Sequence, residues 1–342
     1  MASSVTIRDV ARAAKVSVAT VSRALNGHDN VTEAVRRRVL AVANELRYSP
    51  HHAARSLSSR RTHTIGVVLP DIHGEFFSEL MRGIDQVARE SGLHLLVSSY
   101  HGHPEEQAAA LRAMRGRVDG MLVMSPHTGD LDAIGDHLAA LPTVLINSQP
   151  IDSGQIALGI DNYGGARRMV EHLLACGHRR IAFIAGPQNN FDAHERLRGY
   201  RDALSEADPA AEPIVLPGDF SEASGHMAGQ QLLASGTRPQ AVFAANDMMA
   251  LGCLYALNQA GVRVPQDIAL AGFDDIPLAR YVMPSLTTMQ VNIAELGAHA
   301  MRVLLDVYAG EDVHAALAPL VPELIVRESS AAPASGTPAR SR

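Results

Sequence analysis

The chain has 342 residues, 46% hydrophobic and 19% charged, with a formal net charge of −6. That composition is ordinary for a soluble globular protein, and the length suits two or more domains with a sizeable core. No run reaches the roughly 18 apolar residues of a membrane span, and the start "MASSVTIRDVARAAK" lacks a secretion signal, so a cytoplasmic protein is expected.

Charge is unevenly spread. Residues 1–61 carry 11 Lys+Arg against 4 Asp+Glu, a net of +7, and the remainder carries 19 against 32, a net of −13. A basic head on an acidic body points to a head that alone meets a polyanion, with a solvated helical surface as the plainer alternative. The two cysteines, Cys176 and Cys253, lie in helical patterns and read as reduced, packed thiols.

Three short helices fit residues 5–47. "TIRDVARAA" has Thr6 as cap with Asp9 three residues on, and Ile7, Val10, Ala11 and Ala14 on one face. After the turn "KVS", "SVATVSRALN" has Ser17 as cap and "NG" as a stop. "TEAVRRRVLAVANEL" has Thr32 as cap and Val35, Val39, Val42 and Leu46 inward. Next, "YSPHHAARSL" opens with a helix-start signal, yet a helix that short is marginal in water by itself.

From residue 62 the texture changes. Apolar runs such as "TIGVVLP", "VDGMLVMS", "RRIAFIAG", "QAVFAAND" and "QDIALAGFDD" alternate with amphipathic helical patterns. This βαβα alternation implies parallel sheets covered by helices, with too many units for one sheet, hence two similar lobes. "SSAAPASGTPARSR", residues 329–342, reads as a disordered polar tail without heptads.

Enzyme chemistry finds little support. No G-x-G-x-x-G follows a strand, and no G-x-S-x-G or H-E-x-x-H occurs. Lys15 is the sole lysine, so the body has no P-loop or Schiff-base lysine. "HGHPEE" at His101 reads as a solvated loop before a metal site, and no metal or cofactor is expected.

Two helices joined by a short turn form a helix-turn-helix pattern, for which a plain three-helix bundle is the structural alternative. Short side chains at Ser17, Val18, Ala19 and Thr20 would let the second helix sit deep in a major groove. Val18 and Ala19 suit thymine methyls, Arg23 suits guanine O6 and N7, and Ser17, Thr20 and Ser22 suit phosphates.

"TIRDVARAAKVSVATVSRALNG", "YSPHHAARSL" and "TIGVVLPDI", at this spacing, resemble the LacI–GalR family of bacterial transcriptional regulators. The resemblance runs from Thr6 to about Arg327. It implies a helix-turn-helix domain (1–48), a hinge helix and linker (49–61) and a periplasmic-binding-protein-like body (62–328). The N-lobe would be 62–160 with 291–318, and the C-lobe 161–290 with 319–328. The DNA-binding set it implies also takes in Thr6, Asn26, Tyr48, His51, Ala54 and Arg55, with Leu57 wedged into the minor groove. The apolar pair Val18 and Ala19 departs from the polar pairs of two well-known branches, so the operator cannot be copied from either.

For the cleft the resemblance implies Arg196 as the ligand-gripping arginine, Asp274 as an acceptor and Phe220 as an aromatic platform. Phe76, Phe77, Asn147, Asn190, Asp192 and Asn246 would line the same crevice. The expectation is a homodimeric repressor that reads pseudo-palindromic double-stranded DNA under control of a sugar or related carbohydrate metabolite. A transporter's solute-binding protein is the alternative, opposed by the basic head.

Overall fold

The computed structural model describes residues 5–25, 30–48, 61–126, 138, 141–148, 155–236, 238–311, 313 and 318–330. Asn26, His51, Ala54, Arg55 and Leu57, the hinge segment up to residue 60 and the tail from residue 331 lie outside them. The chain divides into two compact units, Met1–Thr62 and His63–Arg342.

The first unit holds three helices, α1 (Ile7–Ala14), α2 (Val18–Leu25) and α3 (Glu33–Glu45). Asp9 fixes the start of α1: its carboxylate accepts from the Thr6 N–H at 2.9 Å and from the Thr6 hydroxyl at 2.7 Å. Lys15, at φ 53°, ends that helix in the left-handed region. Ser17 starts α2, its Oγ accepting from the Thr20 N–H at 3.1 Å. Thr32 differs from expectation, since it stands at the start of α3 without a side-chain capping bond. Glu33 in the first turn supplies the negative charge that this helix start favours.

The head's core is built of small side chains. Val10, Val21 and Val39 are fully buried among Ala11, Ala14, Ala24 and Ala43. Of the four residues expected inward on α3, only Val39 is fully enclosed, and Val35, Val42 and Leu46 pack half-buried around it. Helices of eight residues hold together here by packing, because such lengths have little stability of their own.

The second unit has two parallel sheets. The first lobe's sheet runs in the order β2–β1–β3–β4–β5, from β1 (Thr64–Leu69), β2 (His94–Ser99), β3 (Gly120–Met124), β4 (Thr143–Ile146) and β5 (Ile156–Leu158). Helices α4 (Glu75–Glu90) and α5 (Pro104–Met114) lie between its strands in sequence. In the second lobe, α6 (Asn162–Ala175), β6 (Ile181–Ile184), α7 (Phe191–Ala207), β7 (Ile214–Leu216), α8 (Glu222–Ala234), β8 (Ala241–Ala244), α9 (Asp247–Gln259) and β9 (Ala269–Ala271) alternate strictly. Its sheet order is β7–β6–β8–β9. Strands β1, β3, β6 and β8 are almost wholly buried, as runs covered on both faces must be.

The chain then crosses back through β10 (Thr288–Gln290), α10 (Ile293–Ala309) and β11 (Glu323–Ile325). Strands β10 and β11 pair antiparallel, a small ladder unlike the parallel sheets that alternation implied. Helix α10 packs on α4 of the first lobe. Their backbones touch at Gly83, where a Cβ would fall 1.8 Å from the carbonyl oxygen of Ala294. The expected disordered tail starts too early: Ser329 and Ser330 are fully buried. The Ser329 hydroxyl donates to the Leu270 carbonyl at 2.6 Å, and Ser330 lies 2.9 Å from His172 Nε2. Among the described residues, no helix is long and apolar enough to cross a membrane.

Gly83→Ala should cost about 1–3 kcal/mol of stability, since backbone rather than a flexible side chain blocks the new methyl. Denaturant unfolding of the variant against the parent checks this, and an unchanged midpoint would contradict the close α4–α10 contact.

Candidate functional site

On α2, Val21 and Ala24 face the core while Ser17, Val18, Ala19 and Arg23 are exposed, and Thr20 and Ser22 are half-buried. Val18 keeps 41% of its surface in solvent, an apolar side chain at the helix start with no internal packing role. The Ser17 and Thr20 hydroxyls also lie 2.9 Å from each other, so these two expected phosphate contacts first serve the helix cap. Thr6 is exposed, and Tyr48 packs half-buried against the head's core.

The structure brings all nine expected cleft residues to one cavity of about 330 Å³. Phe76, Phe77 and Asn147 come from the first lobe. Asn190, Asp192, Arg196, Phe220, Asn246 and Asp274 come from the second. Each follows the carboxyl end of a parallel strand, where helix starts and loops converge. Phe76 and Phe77 meet edge to face, with ring centroids 5.5 Å apart. Half-buried Phe220, at φ 73°, leans against Gly186, where a Cβ would lie 2.6 Å from its ring.

Arg196 organises the second-lobe wall. It is 4% exposed, so it is no surface ion-pair residue. Its Nε donates to Asn162 Oδ1 at 2.8 Å, and its Nη1 donates to the Ala245 carbonyl at 2.6 Å. The same Nη1 lies 3.3 Å from Asp274 Oδ1, and the guanidinium stacks 3.8 Å above the Phe273 ring. Asn162 Nδ2 in turn donates to Asp192 Oδ1 at 2.9 Å. Sequence reasoning missed Asn162, Ala245 and Phe273. Nothing in a single sequence distinguishes Asn162 from an ordinary helix-start asparagine.

The pair "FDD" splits its duties. Asp274 lines the cleft, whereas Asp275 turns to the crossover, accepting from Arg327 at 2.6 Å and from Gln290 at 2.7 Å. Both sit at positive φ, 115° and 54°, a strained backbone that the surroundings must hold. The Asp274 N–H donates to the Met289 carbonyl at 2.8 Å, tying the cleft's acceptor to β10. Asp247, fully buried behind the cleft, accepts from the Thr288 hydroxyl at 2.6 Å and the Ile276 N–H at 3.0 Å. Asn246 caps α9 through Met249 and donates to the Phe220 carbonyl at 3.0 Å, so it builds the wall as well as lining it.

Hydrogen bonds at the cleft's edges join the lobes away from the crossover. The Leu278 N–H donates to Glu75 at 3.0 Å, and the Phe191 N–H donates to the Pro126 carbonyl at 2.8 Å. His101 and Gly102 of the "HGHPEE" loop reach the cleft, and no group of three or more potential metal ligands occurs among the described residues.

Burial pushes Asp192 up to about 6, against the pull of Arg196 and the Asn162 bond. Burial likewise pushes Asp274 up to about 6, with Arg196 opposing and Asp192 adding to the rise. Asp247 rises well above the usual range, first through burial and then through Asp274.

Residues 6–51 match the family described as bacterial regulatory proteins, lacI family, and residues 170–330 match a periplasmic binding protein-like domain. The ribose operon repressor of Escherichia coli (strain K12) is 39% identical over 303 residues, 88% of this chain and 92% of its own length. The crystal structure of the Lac repressor dimer bound to operator and the anti-inducer ONPF superposes with a TM-score of 0.85 at 30% identity, covering 96% of this chain and 100% of that one. A LacI family transcriptional regulator from Enterococcus faecium with bound ribose superposes with a TM-score of 0.71 at 30% identity, covering 79% of this chain and 99% of that one.

The raised carboxylates set a pH dependence. Between the ordinary aspartate value near 3.8 and about 6, the folded chain holds protons that the unfolded chain has released. Asp192 and Asp274 therefore add stability as pH falls from about 7 toward 4 and lose that contribution as pH rises through about 6. Asp274→Asn should flatten this part of the curve of unfolding midpoint against pH, and an unaltered curve would contradict the assignment.

Proposed function

The chain belongs to the lacI family of bacterial regulatory proteins, and from that premise we propose that it is a homodimeric, sequence-specific transcriptional repressor whose operator binding is controlled by a carbohydrate held between the lobes of its body. It works in the cytoplasm, as a binding protein rather than an enzyme. The observation that carries the effector half of this reading is the buried Arg196–Asp274 pair inside an interlobe cleft with an aromatic wall. Sugars need charged hydrogen-bond partners for their hydroxyls and a flat apolar surface for their C–H faces. The ribose bound to the enterococcal regulator and the name of the ribose operon repressor support a carbohydrate effector.

The head reads DNA through the exposed face of α2. Val18 and Ala19 meet thymine methyls and Arg23 reads guanine, while Ser17, Thr20, Ser22, Thr6 and Tyr48 hold phosphates. Two heads in a two-fold dimer fit a pseudo-palindromic operator. Asn26, His51, Ala54, Arg55 and Leu57 complete the DNA-binding set, Leu57 entering the minor groove. An inducing sugar must bind the DNA-free conformation better than the DNA-bound one, since only differential affinity shifts the equilibrium.

Arg23→Ala should weaken operator binding about 10- to 100-fold, the cost of one bidentate base contact, and leave sugar binding intact. Arg196→Ala should keep operator binding and lose the sugar response. Gel shifts on a selected operator, with and without sugar, read both. Undiminished operator preference in the first variant would remove Arg23 from the base-reading set, and an unchanged response in the second would remove the cleft from the effector site.

A further inference from the structure

The charges around the cleft restrict which carbohydrate it can hold. Among the described residues five carboxylates line it: Asp71, Asp192, Asp219, Glu222 and Asp274. Among the described residues Arg196 is the one arginine or lysine in the lining, and two of its five N–H groups are already spent on Asn162 and the Ala245 carbonyl. Helix starts would ordinarily offset such a deficit, because their free N–H groups and dipoles attract anions. Four helices, α4, α7, α8 and α9, open onto this cleft through Gly74, Asn190, Ser221 and Asn246. Each carries its own acid in the first turn: Glu75, Asp192, Glu222 and Asp247. Three are capped as well, by the side chains of Asn190, Ser221 and Asn246. At α7 and α8 the lining's own carboxylates, Asp192 and Glu222, therefore stand where a phosphate would bind, and Glu75 and Asp247 add negative charge at the starts of α4 and α9 from outside the lining.

Two buried acceptors in the cleft have capacity to spare. Asn147, 3% exposed on the first lobe, and Asp274, 4% exposed on the second, each keep one buried Oδ1 without a hydrogen-bond donor. Asp274 Oδ1 is ion-paired with Arg196 at 3.3 Å and can still take a hydroxyl donor, whereas Asn147 Oδ1 has neither an ion pair nor a hydrogen bond. Unpartnered buried acceptors favour hydroxyl donors. The volume of about 330 Å³ stands at the low end for small-molecule clefts, which suits one ring.

We propose that the cleft takes a single uncharged sugar ring, with one hydroxyl to Asn147 and another to Asp274, and rejects the phosphate ester of the same sugar. This rests on the carbohydrate-effector reading above. The test is calorimetric titration of the full-length chain with neutral aldopentoses and aldohexoses, each beside its phosphate ester, for example D-ribose with D-ribose 5-phosphate. At least one neutral sugar should bind, and its ester should bind about 100-fold more weakly or not at all. If esters bind as tightly as their parents, or alone, this proposal falls while the sugar-controlled repressor stands. If no member of either set binds, the single-ring proposal falls, while the carbohydrate reading falls only if Arg196→Ala leaves the sugar response unchanged. Asn147→Gly tolerates the left-handed backbone (φ 45°) but has no acceptor, so it should lose about tenfold or more in affinity for the sugar that binds. Asn147→Asp, which keeps an acceptor, should stay within about threefold. Equal affinities for the parent and the glycine variant would overturn the hydroxyl contact.

Discussion

A guanidinium that cannot lose its charge is buried in the second lobe, and much of the wall around it follows from that. Arg196 has to be surrounded by acceptors, because an unpaired buried cation costs several kcal/mol. The acceptors come from three separated places: Asn162 at the start of α6, the carbonyl after β8, and Asp274 after β9. Satisfying one side chain therefore fixes the relative positions of α6, α7 and the ends of two strands. Phe273 completes the enclosure by offering its ring face, which leaves Asp274, the next residue, turned toward the cleft.

The same turn carries the connection to the rest of the body. Asp274 is bonded through its backbone to β10, and Asp275 is held by Arg327 and Gln290. The crossover therefore meets the cleft at two adjacent residues of positive φ. A ligand that drew on Asp274 would pull on the segment leading to α10, which packs on the other lobe. The bonds from Leu278 to Glu75 and from Phe191 to Pro126 hold the lobes at the angle seen here. This gives differential binding a physical route, because two lobe arrangements would hold Asp274 and Asn147 at different separations.

Legibility in the sequence followed the range of the interaction. Caps such as Thr6–Asp9 and Ser17–Thr20 act over three residues, and short-range patterns reveal them. The alternation of apolar strands with amphipathic helices likewise reports two parallel sheets. The cleft residues came largely from family resemblance, and geometry then brought all nine together. What stayed hidden was long-range pairing: Asn162 with Arg196 across 34 residues, and Asp275 with Arg327 across 52. The buried Ser329 and Ser330 were misread for the same reason, since a serine-rich segment resembles a tail until its partners, Leu270 and His172, are known.

The two candidate sites also differ in what holds them. The α2 face consists of short exposed side chains on a locally capped helix, supported by a core of valines and alanines. Little long-range structure stands behind Val18, Ala19 or Arg23, so changes there can alter recognition with small effects on stability. The cleft is the reverse case: Arg196, Asp192 and Asp274 are buried charges, and removing Arg196 leaves two buried carboxylates without their cation. If the α2 face reads DNA as proposed, substitution there has a physically easier route to new operators than substitution in the cleft has to new ligands. Within the cleft, the first-lobe side, where Phe76 and Phe77 are only half-buried, is the part that can vary without disturbing the Arg196 network.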